Sequence, residues 1–443
     1  MTPYCPFHLL WTPRQESHLI KGKNGMEIAA LRLHSYSMDK QDIIIIGGSL
    51  IGLTQALALA AHGISSHVID RADPQTMLAA NFDGRASAIS SASMKMLSAL
   101  GLGDELTGHG CPIEQIWVSD GLKPGALDFV PSKEDGFLGQ MFENRWLRQV
   151  LHDAAKAQPL ITLHMPMTIE TQERSDAGVL VTLADGKVLA ADLLIVAEGR
   201  ASVTRDAAGI KLAKWDYAHE AMVTVAAHEK PHGNIAYEIF YPSGPFAVLP
   251  MLDDADGRHR SGIVWSVTRA DAPAYRKLSP RALAAEMEKA MGGMLGAVEL
   301  IAPVSGYPLG FQNAMRIIDT RLALVGDSAH GIHPIAGQGL NLGLRDVAAL
   351  TEVLVDGARL GLDFGDAQLM DRYARWRSVD TLLVALSTDN LNRLFSIPGK
   401  TASAVRRFGL SAVQKFKPAK ALFMAEARGE AGDLPKLLQG LLA

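Results

Sequence analysis

The sequence predicts an α/β chain: a Rossmann-like nucleotide-binding domain, an inserted domain built on a mixed or antiparallel sheet, and a helical C-terminal region. Three observations predict it. An all-isoleucine run, Ile43–Ile46, leads through a glycine-rich turn into an alanine- and leucine-rich stretch. Two later apolar runs end at Glu198-Gly199 and Gly326-Asp327, and each passes into helical sequence. Between Ala218 and Gly310 the chain instead breaks into short apolar runs, as strands of a second sheet do.

The composition is that of an ordinary globular protein. With 443 residues there is enough chain for a large core and more than one folding unit. A net charge of −4 gives no basic footprint for nucleic acid. The two cysteines, Cys5 and Cys111, form no CxxC pair, which argues against a disulfide framework or a zinc knuckle and fits a reducing, cytoplasmic setting. No apolar stretch reaches the ~18 residues of a membrane span. Residues 1–38 show no sustained periodicity and lack the features of a secretory signal, and two glutamates argue against a transit peptide. They are expected to be a poorly ordered extension, with the working chain beginning near Met38.

The first element is read from QDIIIIGGSLIGLTQALALAAHGISSHVID. Four isoleucines suit a parallel strand covered on both faces. The turn Gly47-Gly48-Ser49 follows, then Gly52 within an apolar helix, then Gly63 as its stop and a second short strand reaching Asp70. A dinucleotide needs this βαβ layout, with pyrophosphate on the helix N-terminus and a carboxylate on ribose hydroxyls. Gly47 and Gly52 fill the first and third glycine positions of the fingerprint, and Ser49 stands at the second. A glycine turn that merely packs a helix on a sheet is the competing reading.

Further along, ADLLIVAEGRASVTR is an apolar strand, a turn at Glu198, and a helix start carrying Ser202 and Arg205. RLALVGDSAHGIHPIAGQGLNLGLRD is another buried strand, ending at Gly326-Asp327, then a loop with Pro334, Gly337, Gly339, Leu340 and Asn341. These segments resemble the three signatures of the single-component, aromatic-hydroxylating flavin monooxygenases. The form HPxAGQGxNxGxxD is close to that of the ubiquinone-biosynthesis hydroxylases. DGRASAIS, FENRWLRQVL, YARWR and the tail FMAEARGEAGDLPKLLQG extend the resemblance over the chain from about Met38. Ser49 and Glu198 depart from the family pattern.

The resemblance implies FAD, with NAD(P)H as cosubstrate and O₂ incorporated through a flavin C4a-hydroperoxide into a polyprenylated phenol. It implies that Asp327 holds the ribityl chain. It places the amides of Gly339, Leu340 and Asn341 at the flavin's pyrimidine edge, where fixed donors and the helix dipole suit the charge of the reduced ring. Arg85 is expected at the cofactor or donor, or in a surface salt bridge; Asn144 and Arg145 are candidates for an adenosine-side contact and are assigned no further role. The implied boundaries are 39–217 for the first part of the FAD-binding domain, 218–310 for the substrate-domain sheet, 311–395 for completion of the FAD-binding domain and 396–443 for a helical tail.

No catalytic dyad or metal cluster is legible, and His330 and His333 lack a third ligand. The chemistry is therefore expected to be the cofactor's. Tyr237, Phe240, Phe246 and Trp265 fit either a greasy substrate pocket or an ordinary core. In IPGKTASAVRRFGLSAVQKFKPAKALFMA six basic residues and no acidic one accompany Val405, Phe408, Ala412 and Phe416 at helical spacing. Such a helix lies on an anionic membrane surface or packs its stripe on its own domain. Two other functions compete with the leading one: a soluble aromatic hydroxylase of the same fold, and a non-catalytic flavin-binding subunit of a biosynthetic complex.

Overall fold

The computed structural model describes residues 39–78, 84–122, 127–132, 136–331, 338–378 and 400–443, and every count below refers to these. The expectations for residues 1–38, His333, Pro334 and Gly337, and for the helix beyond 378, lie outside them.

Five parallel strands form the central sheet, in the order Leu322–Leu324, Leu193–Val196, Ile43–Ile46, Ser66–Ile69 and Ile161–His164, with Ile318–Asp319 antiparallel at the edge. The isoleucine run is buried throughout because helices or strands cover both faces. Ile43 and Ile45 pack against the helices Leu50–Ala60 and Gln338–Arg359, and Ile44 and Ile46 against Val179, Val181 and Leu183 of a smaller sheet. Alanines at 56, 58 and 60 let the helix Leu50–Ala60 sit close to both the sheet and the long helix. The tail is built into this assembly: Leu437 and Leu438 pack among Ala58, Met96, Leu344 and Val347.

The second sheet has nine strands and is mixed. Its long strand Leu212–His228 pairs antiparallel with His259–Thr268 and Ser305–Ala314, whereas Gln115–Asp120 runs parallel to Ile235–Tyr241. Side chains alternate between its faces. Met222, Ile239, Phe246, Val248, Ile263 and Trp265 pack on one face with Leu283 and Met287 of the helix Pro280–Ala290. This settles the choice left open for the aromatic residues. Phe246 and Trp265 are core, in edge-on contact at 5.5 Å; Tyr237 packs beside them, and Phe240 is buried on the opposite face against Val118 and Leu410.

Candidate active site

The motifs converge at the carboxyl edge of the parallel sheet, where ligands of such folds bind. Gly47 follows the isoleucine strand with φ of +109°, and a β-carbon there would lie 2.4 Å from the Ala197 carbonyl oxygen. A β-carbon on Gly52 would lie 1.7 Å from the Gly47 carbonyl oxygen, so the helix starts as close to the turn as backbone allows. Ser49 caps that helix with its backbone only; its side chain makes no cap bond. The first-turn amides therefore remain available to an anion. Asp70 takes the Gly48 amide at 2.6 Å and the Ala72 amide at 2.8 Å, one on each oxygen. Each oxygen keeps a second acceptor site for a ribose hydroxyl.

Glu198 shows what its extra methylene does. Its Oε2 accepts the Ser202 hydroxyl at 2.6 Å and the Thr204 amide at 3.0 Å, capping the short helix Val203–Ala207. Arg205 from that helix is buried and donates to the Arg200 and Ser328 carbonyls, tying this turn to the Gly326-Asp327 loop.

A buried charge network, which the sequence reading passed over, fixes that loop. Asp346 is 1% exposed. Its Oδ2 accepts the Gly326 amide at 2.8 Å and lies 2.5 Å from His330 Nε2, and its Oδ1 accepts from Arg377 Nε at 2.6 Å. Burial pushes the carboxyl up; His330 and Arg377 more than offset it and hold it below the ordinary aspartate value. Both residues stood in quoted motifs, Asp346 closing GLRD and Arg377 closing YARWR, so a signal was present. Its meaning was not, because an ion pair between helices has no sequence spacing. His330 is thus a buried partner of Asp346; among the described residues no group of three potential metal ligands assembles.

Asp327 lies beside the network, close enough for His330 and Asp346 both to act on its charge. Its side chain is 47% accessible, yet burial by surrounding protein leads the causes that raise its pKa, opposed by Arg200 at 3.9 Å. The carboxylate is thus half-exposed beside the loop that Asp346 holds. At the start of the helix Gln338–Arg359, a β-carbon on Gly339 would meet nothing within 4 Å, so the helix surface at Gly339 is open. Asn341 contributes more than its amide. Its Oδ1 accepts the Ser90 amide and its Nδ2 donates to the Ala88 carbonyl, both at 2.9 Å, which binds the helix start to the strand Ala86–Ser90. Arg85, just before that strand, is exposed, and its carbonyl receives the Asn144 amide at 2.9 Å. Arg145 pairs with Glu143 at 2.6 Å and lies over Trp146.

An open helix N-terminus, an aspartate after the second strand and an accessible carboxylate at Gly326-Asp327 fit the pyrophosphate, ribose and ribityl groups of FAD. The comparisons agree. Residues 40–379 match the family described as FAD binding domain, and the chain belongs to that FAD-dependent monooxygenase family. Its solved neighbours include p-nitrophenol 4-monooxygenase PnpA of Pseudomonas putida, with a TM-score of 0.73 at 17% identity over 90% of this chain and 100% of that one. Within the family it groups with the ubiquinone-biosynthesis hydroxylases. It is 42% identical to ubiquinone hydroxylase UbiL of Rhodospirillum rubrum over 91% of this chain and 94% of that protein. It is 33% identical to 3-demethoxyubiquinol 3-hydroxylase of Escherichia coli over 84% and 95% of the two chains.

Proposed function

We propose that this chain hydroxylates the aromatic ring of a polyprenylated phenol on the route to ubiquinone. The phenol, O₂, NAD(P)H and a proton give the ring-hydroxylated product, water and NAD(P)⁺. The observation that carries the reading is the meeting of the three motifs at one edge of the parallel sheet, in a chain so similar to a ubiquinone hydroxylase over almost its full length. FAD supplies the activation of O₂ when bound. The chain's own residues bind and orient it. Gly47, Gly48, Ser49 and Gly52 present the helix amides to pyrophosphate, and Asp70 takes ribose hydroxyls. Asp327, beside Gly326, holds the ribityl chain. The amides of Gly339, Leu340 and Asn341 meet the pyrimidine edge, with Arg85, Pro334 and Gly337 completing the site. Segment 218–310 forms the substrate wall over a cofactor domain built from 39–217 and 311–395, and 396–443 forms the tail. NAD(P)H oxidation by the FAD-loaded chain that rises on adding 2-geranylphenol supports this; oxidation indifferent to the phenol contradicts it.

A lipid substrate has to be collected from a bilayer, and we propose that the chain works on the cytoplasmic face of a membrane. No helix among the described residues is long and apolar enough to cross one. The tail helix Lys400–Lys415 instead turns its sides the unexpected way. Arg406 is 4% exposed and bonds the buried Asp120, and Leu410 and Val413 pack inward. Val405, Phe408 and Phe416 face out at 61%, 76% and 62% exposure, joined by Leu422 from the next helix at 65%. Arg407, Lys415 and Lys417 flank them, with no acidic residue from 400 to 425. An apolar stripe edged with cations suits an anionic interface. Phe408→Asp is expected to weaken co-sedimentation with phosphatidylglycerol vesicles by about tenfold or more while FAD content holds. Equal pelleting of both proteins, or none of the wild type, contradicts membrane docking.

A further inference from the structure

We propose that Glu238 is the proton acceptor for the substrate's phenolic hydroxyl, an assignment that rests on the hydroxylase reading above. Glu238 lies in the strand Ile235–Tyr241, whose neighbouring residues face opposite ways. Tyr237, Ile239 and Tyr241 pack on the side of the helix Pro280–Ala290. Ala236 and Phe240 face the other side, and Glu238 stands between them. Ala236 packs in one cluster with Met141, Ala86 and Ala88. Ala88 is the residue whose carbonyl receives the Asn341 side chain. Glu238 is therefore on the sheet face turned toward the strand that the start of the helix Gln338–Arg359 holds in place.

The row of residues in register with it is small and apolar. It runs Val118, Glu238, Ala247, Val264, Val223 across four neighbouring pairings. Val223 and Val264 are only half-buried, whereas their neighbours Met222 and Ile263 on the opposite face are fully buried. The row bearing Glu238 is therefore covered near Ala247 and opens toward its Val264 and Val223 end.

Glu238 is 8% exposed. Burial alone acts on it and pushes its carboxyl up to about 7, with no hydrogen bond or neighbouring charge among the causes. Two arginines of the described residues on this side of the sheet are engaged elsewhere: Arg406 bonds Asp120, and Arg260, in register with Met251, pairs with Glu143. A buried carboxyl without a donor destabilises a fold, so its presence beside an open apolar face points to a ligand that brings the donor. A phenolic O–H on a greasy molecule is such a donor. In the step assigned here the substrate's O–H bond breaks and the proton passes to the Glu238 carboxylate. The electron pair stays on the phenolic oxygen and enriches the ring for hydroxylation. The carboxyl returns its proton to that oxygen as the hydroxylated ring carbon releases its hydrogen to water.

Glu238→Gln keeps the shape and cannot accept the proton. With 2-geranylphenol, turnover is expected to fall about a hundredfold. KM stays within about threefold, and FAD content and flavin reduction are unchanged. A ring-fluorinated 2-geranylphenol, which ionises more readily, recovers most of the loss. The variant also melts at a higher temperature than the wild type at pH 8, where the buried carboxylate is charged. Turnover within about twofold of wild type, or an equal loss on the fluorinated phenol, overturns the assignment. A wild-type chain inert toward both phenols refutes the hydroxylase reading itself; an active wild type with an equally active variant refutes only the role of Glu238.

Discussion

Gly52→Ala is expected to yield chain that carries almost no FAD and that is largely unfolded or insoluble. The added methyl would sit 1.7 Å from the Gly47 carbonyl oxygen, a backbone atom that no rotamer change can move. Gly47 cannot retreat either. Its amide bonds the Ile69 carbonyl at 2.8 Å, and on its far side a β-carbon position lies only 2.4 Å from the Ala197 oxygen. The helix Leu50–Ala60 would have to withdraw from the sheet, and its residues Gly52 to Ala60 are all buried. Overpacking in a core that can relax costs about 1–3 kcal/mol, and this site is clamped on both sides, so the cost lies at or beyond the upper end. The ratio of flavin absorbance to protein in the purified variant reads the result. Normal FAD content would contradict the geometry.

Arg377→Leu is expected to destabilise the chain by about 3–5 kcal/mol, the cost of leaving one charge of a buried pair alone. Asp346 would keep only His330 and the Gly326 amide, so the carboxylate that anchors the loop presenting Asp327 would no longer be held in place by Arg377. A lowered unfolding midpoint in denaturant therefore comes with weaker FAD binding. The acid side gives a second check. Because the folded-state pKa of Asp346 is depressed, its contribution is present above the unfolded value of 3.8 and is lost as pH falls through the folded one. Asp346→Asn is expected to be less stable than wild type at neutral pH, with the gap narrowing once the pH has fallen below the unfolded value of 3.8 and through the lower folded one. A gap that is constant with pH would contradict this.

Sequence reasoning reached the parallel sheet because its signals are local: a buried strand, a glycine turn and an amphipathic helix each carry their own pattern. The positions of Gly47, Gly52, Asp70 and Asp327 around one edge follow from that order of elements. What stayed out of reach depends on which residues meet across the fold. Asn341 was expected to act through its amide, and its side chain proves to stitch two strand atoms 251 and 253 residues away. Phe246 and Trp265 could not be told from pocket residues until the helix Pro280–Ala290 was seen to cover them. The stripe Val405, Phe408, Phe416 had a helical period that fits either an inward or an outward face, and the Arg406–Asp120 pair decides it. Glu238 looked like any polar residue of an alternating strand. Only the register of its neighbours reveals a carboxyl enclosed without a partner.

The central claim is hydroxylation of a polyprenylated phenol, and mass spectrometry of the quinone lipids tests it most directly. Cells lacking the chain, grown in oxygen, are expected to accumulate a prenylated phenol short of one ring oxygen. Restoring the chain under ¹⁸O₂ is expected to place one heavy oxygen on that ring. An unaltered quinone pool, or restored lipid without the label, would contradict the account.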